Sequence, residues 1–340
     1  MKADIGIDLG TSSILLYVKN VGVVIKEPSL VAFDRDSNVI KGYGEDARGM
    51  LKQSTGNIIA ARPLQDGVIT DYTVTEKIIR HFLQKALGKI IFKKPRLNIS
   101  VSCLITEVEK RALIGAGIAA GAREVTLVEK PMAAAIGAGV DIYKPSGNMV
   151  VDIGGGTTDI AVISLGGIVA STSVKVAGND FNNAIVKYMR DEHNVLIGDS
   201  LAENIKIKIG AVSPSVVKET ARVQGREITT CLPKKITLST TEMAKVLKEP
   251  MEQIIEGIRL VFEETPPELA TDVLERGILL SGGGSLVRGM DAFIEETTSL
   301  QTILPEKPLM VVAVGVGRYV QNAQARIEAE AFASLHRAVK

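Results

Sequence analysis

The sequence predicts an α/β protein built from two related halves, and three observations point to this class. The chain of 340 residues suits about two domains. Its hydrophobic content of 46% and charged content of 23% are those of a globular chain. An apolar strand, an Asp-x-Gly turn and a second apolar strand occur around Asp8 and return around Asp152. This internal repeat predicts a duplicated domain with a ligand-binding cleft between the copies.

In the first half, apolar strands and Gly-rich turns come first, and helical spacing follows. Apolar residues at Val74, Ile78, Ile79, Phe82 and Leu83 predict a helix over 74–87. A more polar stretch over about 34–60 precedes it. Strands are predicted over 4–8, 14–18, 22–25, 30–33, 97–104 and 125–128, and further helices over 107–121 and 131–139.

The second half repeats this order with different lengths. Pro250 lies inside a helical pattern over 241–262 and must kink or break that helix. A hairpin is predicted over 221–238, between two helical stretches. Strands are predicted over 149–153, 160–165 and 278–280, and one long helix over 318–340.

Composition excludes several classes of function. The 40 Lys and Arg nearly balance the 39 Asp and Glu, and aromatic residues are only 4%, so a nucleic-acid partner is not expected. Two cysteines and three histidines support neither a disulfide scaffold nor a zinc cluster. No apolar run approaches the roughly 18–20 residues of a membrane span. Because Met1 leads directly into a strand, no secretory signal is expected, and a soluble cytoplasmic protein is predicted.

Three Gly-rich turns each follow an apolar strand. Glycine lets the backbone approach a phosphate, and turn N–H groups and hydroxyls can bind the anion. One such turn is equally well explained as a tight turn, but two matched Asp-x-Gly turns and a third favour a phosphate site. The candidates are Gly10, Thr11, Ser12 and Ser13 in the first turn, Gly154, Gly155, Gly156, Thr157 and Thr158 in the second, and Gly282, Gly283, Gly284 and Ser285 in the third.

An aspartate ends the strand before each of the first two turns. Asp8 and Asp152 would repel a phosphate unless a divalent cation lay between them. Mg²⁺ is commonly held by one or two carboxylates together with water and phosphate oxygens. The alternative is that each aspartate caps its own turn. The pair favours Mg²⁺, bound through water. Neither a Walker motif nor a Ser/His/Asp triad is present.

With these motifs, the chain resembles the actin, sugar-kinase and chaperone ATPase superfamily, and within it the MreB family of bacterial actins. The resemblance extends from Asp4 to about Gly317. It depends on six stretches: Asp4–Thr11, Arg62–Ile69, Pro131–Gly137, Ser146–Thr158, Thr265–Leu269 and Gly277–Leu286.

This resemblance implies an actin-like ATPase fold of two duplicated ribonuclease-H-like α/β domains around an ATP cleft. Domain I would cover 1–145 with a small insert at about 33–65. Domain II would cover 146–317 with an insert at about 181–250, and the helix over 318–340 would return to domain I.

The resemblance also implies how the nucleotide is held, with Mg²⁺ as its cation. The first two turns would bind the phosphates, and the third would lie under the adenosine. Glu203 would contact the ribose and Lys206 would lie beside the base. On spacing alone, an exposed ion pair at i,i+3 is the favoured explanation of these two residues.

One departure from the family bears on activity. The family usually has Glu-Glu-Pro where this chain has Glu129, Lys130 and Pro131. A carboxylate at the second position orients and helps deprotonate the attacking water, which an ammonium group cannot do. Slow hydrolysis is therefore expected, with Thr158 and Asp159 left to position water. Glu129 is expected to point away, and the alternative for Lys130 is an ordinary surface lysine.

Self-assembly into filaments is the partnership that the resemblance implies. In the family, an exposed apolar loop can also contact the membrane, and here Ile91 and Phe92 precede two lysines. A core position for Ile90 and Ile91, with the lysines as ordinary surface residues, is equally compatible with the composition. The helix over 318–340 is suited to a membrane surface or to a neighbouring subunit. Such contacts would place the protein at the inner face of the cell membrane.

Three functions stay open at this stage. A filament-forming cytoskeletal protein, a small-molecule kinase of the same fold and a chaperone-type ATPase share the predicted motifs. A kinase usually has larger inserts around its substrate pocket, and a chaperone has a substrate domain after the ATPase. The filament-forming protein, with a role in cell shape or in motility linked to cell shape, is therefore preferred.

Overall fold

The structure, a computed structural model, describes residues 4–53, 56–88, 94–213 and 216–319. These residues form two compact units, each with its own hydrophobic core. The first unit contains the described residues up to Ile142 and again from Met310, and the second contains Tyr143–Leu309. The predicted domain limits at 145/146 and 317/318 stay a prediction.

The first unit begins with five strands, and its helices are interspersed among the strands that follow. In chain order they are β1 (Asp4–Leu9), β2 (Ser13–Val18), β3 (Gly22–Pro28), β4 (Val31–Asp34), β5 (Ile40–Tyr43), α1 (Gly44–Gln53), β6 (Ile58–Ala61), β7 (Leu64–Gln65), β8 (Val68–Ile69), α2 (Tyr72–Leu87), β9 (Arg96–Val101), α3 (Glu107–Ala119), β10 (Glu124–Glu129) and α4 (Lys130–Ala138).

A five-stranded sheet in the order β10-β9-β1-β2-β3 is the centre of this unit. Strands β1, β2 and β3 are antiparallel neighbours, whereas β9 and β10 run parallel to β1. Helix α2 buries the apolar residues whose spacing predicted it, and Asp71 caps its N-terminus. Helix α3 begins with a capping box between Thr106 and Glu109.

The second unit contains a similar series. Its elements are β11 (Asn148–Ile153), β12 (Thr158–Ser164), β13 (Gly167–Val174), α5 (Gly178–Asp191), β14 (Val195–Leu196), α6 (Asp199–Ile209), β15 (Thr220–Glu227), β16 (Pro233–Ser239), α7 (Thr240–Val246), α8 (Lys248–Glu263), α9 (Pro267–Arg276), β17 (Ile278–Ser281), a 3₁₀ turn (Gly284–Leu286), α10 (Met290–Thr298) and β18 (Thr302–Ile303). Residues 308–319 are also helical, and from Met310 onward they belong to the first unit.

The main sheet of the second unit has the order β13-β12-β11-β17-β18. Its first three strands in the chain are again antiparallel neighbours, and β17 and β18 run parallel to β11. Strand by strand, this is the topology of the first sheet, with β11 equivalent to β1 and β17 equivalent to β9. The duplicated α/β fold predicted from the repeat is therefore confirmed.

Each unit also carries a small three-stranded sheet, β5-β4-β6 in the first and β14-β15-β16 in the second. These sheets lie largely within the segments predicted as inserts. The predicted break at Pro250 is confirmed, because the pattern over 241–262 divides at Leu247 into α7 and α8. Pro250 lies in the first turn of α8, where the missing N–H costs no helical hydrogen bond.

Some elements differ from the prediction. Strand β13 and helices α1, α9 and α10 were not predicted individually. The final helical segment begins at 308 rather than 318, and most of the predicted helix over 318–340 lies outside the described residues. Within the described ranges, none of the helices is long and apolar enough to cross a membrane.

Candidate functional site

The first Gly-rich turn joins β1 to β2 and is called loop 1, residues 10–13. The Gly10 N–H donates to the Ser13 carbonyl at 3.0 Å and closes the turn. A Cβ atom on Gly10 would lie 2.8 Å from that carbonyl oxygen, which is too close for any other residue without a shift. The glycine is therefore required by the turn itself.

Two neighbouring groups hold the carbonyls of loop 1. The Arg62 guanidinium donates to the Thr11 carbonyl at 2.8 Å, and the Ser29 N–H donates to the Ser12 carbonyl at 3.1 Å. These bonds direct two acceptors of the loop toward the body of the unit. A loop whose carbonyls are tied back in this way suits an anion better than a cation.

The second Gly-rich turn, loop 2 (residues 154–157), repeats this geometry. The Gly154 N–H donates to the Thr157 carbonyl at 2.9 Å, and a Cβ on Gly154 would lie 3.0 Å from that oxygen. Its carbonyls are also tied back, because Gly178 N–H donates to Gly154 at 3.1 Å and Asn179 N–H to Gly155 at 2.7 Å. Loop 2 is thus the structural equivalent of loop 1.

Asp8 and Asp152 lie at equivalent positions, near the ends of β1 and β11. Each carboxylate accepts a hydrogen bond from a serine of the adjacent parallel strand. Ser100 of β9 donates to Asp8 Oδ1 at 2.6 Å, and Ser281 of β17 donates to Asp152 Oδ1. The sequence analysis missed Ser100 and treated Ser281 only as the start of a turn. Neither serine has a local sequence signal that indicates its aspartate partner, because the partners are 92 and 129 residues apart in the chain.

Carboxylates of this kind fit Mg²⁺, which accepts one or two of them and keeps several waters. Among the described residues, no group of three or more His, Cys, Asp or Glu side chains is placed to hold a metal ion. The assignment of the ion to Asp8 and Asp152 stays a prediction.

Loop 2 leads into a buried polar group at the start of β12. Thr157 Oγ1 donates to Asp159 Oδ2 at 3.0 Å, and Thr158 Oγ1 donates to the Val176 carbonyl at 2.7 Å. Thr158 and Asp159 are both 0% exposed. Burying a carboxylate is costly unless it has partners, so this group indicates a purpose other than packing.

The third Gly-rich turn follows β17 and packs against the end of β11. Gly282 has a φ of +81°, and a Cβ there would lie 2.2 Å from the Ile153 carbonyl oxygen. Gly284 is similarly close to the Ile153 side chain. Ser285 Oγ donates to the Gly282 carbonyl at 2.7 Å. Close packing beside loop 2 thus explains these two glycines, and a contact with adenosine stays a prediction.

Glu203 and Lys206 of α6 form the expected i,i+3 ion pair at 2.8 Å. The lysine does more than a surface partner would, because its side chain is only 10% exposed and also donates to the Gly178 carbonyl at 2.8 Å. Asn182 of α5 donates to the same Glu203 oxygen at 2.7 Å and was missed in the sequence analysis. The carboxylate is therefore held on the side of α6 that faces α5 and loop 2.

Lys130 is the first residue of α4 and is only 8% exposed. It lines a small pocket that also includes Thr11, Ser100 and Glu109. The alternative of an ordinary surface lysine is therefore wrong. Glu129 is half-buried at the end of β10 and does not line this pocket. The pKa of Lys110 is raised mainly by its hydrogen bond to Glu107 and to a smaller extent by the charge of Glu129.

Two predicted contact regions cannot be placed in this geometry. Ile91 and Phe92 lie outside the described residues, as does the part of the C-terminal helix beyond residue 319.

The family description "MreB/Mbl protein" matches residues 2–328 of the chain. The cell shape-determining protein Mbl of Bacillus subtilis is 46% identical over 319 residues, which are 94% of this chain and 96% of Mbl. The cell shape-determining protein MreB of Escherichia coli K12 is 43% identical over 323 residues, 94% of this chain and 93% of MreB.

Solved structures show the same likeness. MreB5 of Spiroplasma citri bound to ADP superposes with a TM-score of 0.91 at 36% identity, covering 96% of this chain and 99% of MreB5. The MamK double helical filament gives a TM-score of 0.79 at 22% identity, covering 94% of this chain and 99% of MamK, and supports the fold alone. A family match over most of the chain, close relatives and a shared fold together show that the chain belongs to the MreB/Mbl family of actin-like proteins.

Proposed function

We propose that this chain is an ATP-binding, actin-like cytoskeletal protein that assembles into filaments and contributes to cell shape or to motility linked to cell shape. The similar proteins Mbl and MreB are named as cell shape-determining. Structures of MreB5, the relative with 36% identity, are described as bound to ADP and to AMPPNP. Together these relatives support a nucleotide-dependent cytoskeletal role.

The observation that carries the proposal is the repeated loop. Loop 1 and loop 2 close with the same i to i+3 backbone hydrogen bond, and each follows a strand whose aspartate is held by a serine. Turn formation alone does not explain why the same loop occurs twice. Two anion-binding loops are explained by a nucleotide, because it carries several phosphates. In this proposal residues 10–13 and 154–158 hold phosphate oxygens.

Asp8 and Asp152 would hold Mg²⁺ through water. When bound, the ion would neutralise part of the phosphate charge. Glu203 would accept from the ribose hydroxyls, Lys206 would lie beside the base, and Gly282–Ser285 would lie under the adenosine. Glu203 accepts hydrogen bonds from Asn182 and from Lys206.

Hydrolysis is expected to be slow because Lys130 cannot accept a proton from water. Its burial beside Thr11 favours a different role, in which the ammonium group pairs with a terminal phosphate and stabilises the bound triphosphate. Thr158 and Asp159 would position the attacking water. In this proposal the chain binds ATP and hydrolyses it slowly.

The proposed partners are further copies of the chain. Contacts between unlike surfaces of identical subunits extend into filaments without closing, and a net charge of +1 gives little long-range repulsion. Contact with a membrane surface through Ile91, Phe92 and the C-terminal helix, at the inner face of the cell membrane, belongs to the same proposal.

The test is sedimentation of the full chain at several concentrations, with and without ATP and Mg²⁺, at low and high salt. We expect pelletable polymer that depends on nucleotide. Asp152→Ala is the matched variant, and it should shift assembly because it removes a metal ligand. A parent that stays monomeric under all conditions would contradict the filament proposal. If that monomer transferred phosphate to a small molecule, the kinase alternative would replace it.

A further inference from the structure

We propose that Ser100 and Ser281 are paired positioning residues that orient the two aspartates for the Mg²⁺ ion of a bound nucleotide. This inference rests on the proposed nucleotide binding and goes beyond it by assigning a role to two residues outside the Gly-rich loops. Neither serine is expected to touch the nucleotide, since each acts through a carboxylate.

The first argument is geometric. Ser100 lies on β9, one residue beyond the Ile7–Ile99 pair, which places it beside Asp8. Ser281 is the direct register partner of Asp152 on β17. In both units the hydroxyl donates to the Oδ1 atom of the aspartate. A donor on the neighbouring strand fixes the plane of the carboxylate, as outer hydrogen bonds do for metal-binding side chains.

The second argument is the duplication. The two sheets share their topology, yet most aligned positions of their central strands carry different residues. Gly6 and Asn98 of the first unit correspond to Val150 and Leu279 of the second. The Asp–Ser pair is retained against this background. A contact that recurs at the same place in two divergent copies is better explained by a shared task than by local packing.

The third argument separates the serines from ordinary buried hydroxyls. Ser29 and Ser146 are also buried, and their hydroxyls have no hydrogen-bond partner. The chain therefore tolerates buried serines that do no hydrogen bonding through the side chain. Ser100 and Ser281 differ from them in being directed at a carboxylate, with exposed fractions of 1% and 0%.

A purely structural role of the two serines predicts a different result from the proposed positioning role. If each serine only satisfied a carboxylate in the folded core, its loss would lower stability without changing the response to metal. If each orients a metal-binding carboxylate, its loss changes the Mg²⁺ dependence of nucleotide binding. The two roles are thus separable by measuring affinity at several Mg²⁺ concentrations and again in EDTA.

The experiment uses the full chain with a non-hydrolysable ATP analogue and isothermal calorimetry, so that turnover does not enter. Ser100→Ala and Ser281→Ala should each raise the Mg²⁺ concentration for half-maximal binding about tenfold or more. Affinity in EDTA should stay within about twofold of the parent. Ser146→Ala, which removes a buried hydroxyl without a hydrogen-bond partner, is the matched control and should leave both quantities unchanged.

Cysteine variants keep the proposal testable if an alanine variant fails to fold. Ser100→Cys and Ser281→Cys nearly conserve volume and replace the hydroxyl with a weak donor, so they should fold and still shift the Mg²⁺ dependence. An unchanged Mg²⁺ midpoint, or an equal loss of affinity with and without metal, would overturn the inference while leaving nucleotide binding intact. A parent that bound no nucleotide would overturn the proposed function and this inference together.

Discussion

The starts of β2 and β12 occupy equivalent places in the two units but have opposite chemistry. Leu9 pairs with Ile14 in the first unit, and Ile153 pairs with Thr158 in the second. The next residues are Leu15 and Asp159. The residues of β2 and β12 at these positions are almost completely buried: Ile14, Leu15, Thr158 and Asp159. At the same two positions, the first copy therefore buries two aliphatic side chains and the second buries a hydroxyl and a carboxylate.

We infer from this difference that the second copy has a chemical role at these two positions. The first unit demonstrates that the fold accepts aliphatic residues at these positions, where they add to the apolar core. The second unit instead buries polar groups, which requires the compensating bonds from Thr157 to Asp159 and from Thr158 to Val176. Where one copy of a duplicated fold replaces buried apolar residues with polar ones, a binding or catalytic role explains the change better than packing does. Thr158 and Asp159 are thus the strongest catalytic candidates of the second unit.

The largest expected effect tests whether this polar pair is sufficient without a carboxylate at residue 130. Lys130→Glu should raise phosphate release by about 10²–10⁴-fold, because it supplies a proton acceptor. The measurement is steady-state phosphate release with Mg·ATP. Glu129→Ala is the control and should change the rate little. A parent that lost its activity with Glu129→Ala would move the catalytic role to that residue.

An exchange of residues between the copies is the second test. Ile14→Thr should lower the free energy of unfolding by about 2–3 kcal/mol, because it removes apolar volume and buries a hydroxyl. Thr158→Ile should cost only about 1 kcal/mol, since it loses one hydrogen bond but gains apolar burial. Urea unfolding measures both.

The same exchange should separate stability from activity. Thr158→Ile should reduce phosphate release, whereas Ile14→Thr should leave the rate per folded molecule near that of the parent. Equal losses of activity in the two variants would show that the polar pair has no special role.

The last prediction concerns the charge of Asp4, which has no equivalent in the second unit. Asp4 accepts from Arg96 at 2.8 Å and from Lys19 at 3.2 Å, and its equivalent in the second unit is Asn148. Burial raises the pKa of Asp4, but the hydrogen bonds and charges of Arg96 and Lys19 outweigh it and hold the pKa below the ordinary value of 3.8. The ion pair therefore stabilises the fold above that value, and its contribution is lost as the pH falls through the lowered pKa.

Asp4→Asn should accordingly lower the free energy of unfolding by about 1–2 kcal/mol at pH 7. The difference from the parent should shrink as the pH falls below about 4. Asn148→Ala, in the second unit, should show no such pH dependence. A constant difference between Asp4→Asn and the parent across this range would contradict the assignment.

The duplicated fold was predictable from sequence because its signals are local. The Asp-x-Gly turns, the spacing of the apolar residues in α2 and the break at Pro250 depend on neighbours in the chain. The glycines were also predictable, since a closed turn at Gly10 or Gly154 leaves no room for a Cβ.

The rest of the candidate site depends on contacts that are distant in sequence. Ser100 is 92 residues from Asp8, and Ser281 is 129 residues from Asp152, so neither pairing has a local signature. The burial of Lys130 and the contact of Asn182 with Glu203 likewise follow from how separate elements pack. Single-sequence patterns identify which residues can do chemistry, but the neighbours that orient them emerge only from the fold.

The bonds that tie back loop 1 have a mechanical consequence. The chain enters the small sheet of the first unit just after Ser29 and leaves it at Arg62, and these two residues hold the carbonyls of Ser12 and Thr11. The sheet of β4, β5 and β6 is thus attached to loop 1 through the residues on either side of it in the chain, and both attachments lie at the Val31–Ala61 end of the sheet. Because these two hydrogen bonds join loop 1 to the residues that flank the sheet, a rotation of the Thr11 or Ser12 peptide would have to break one of them or move its donor.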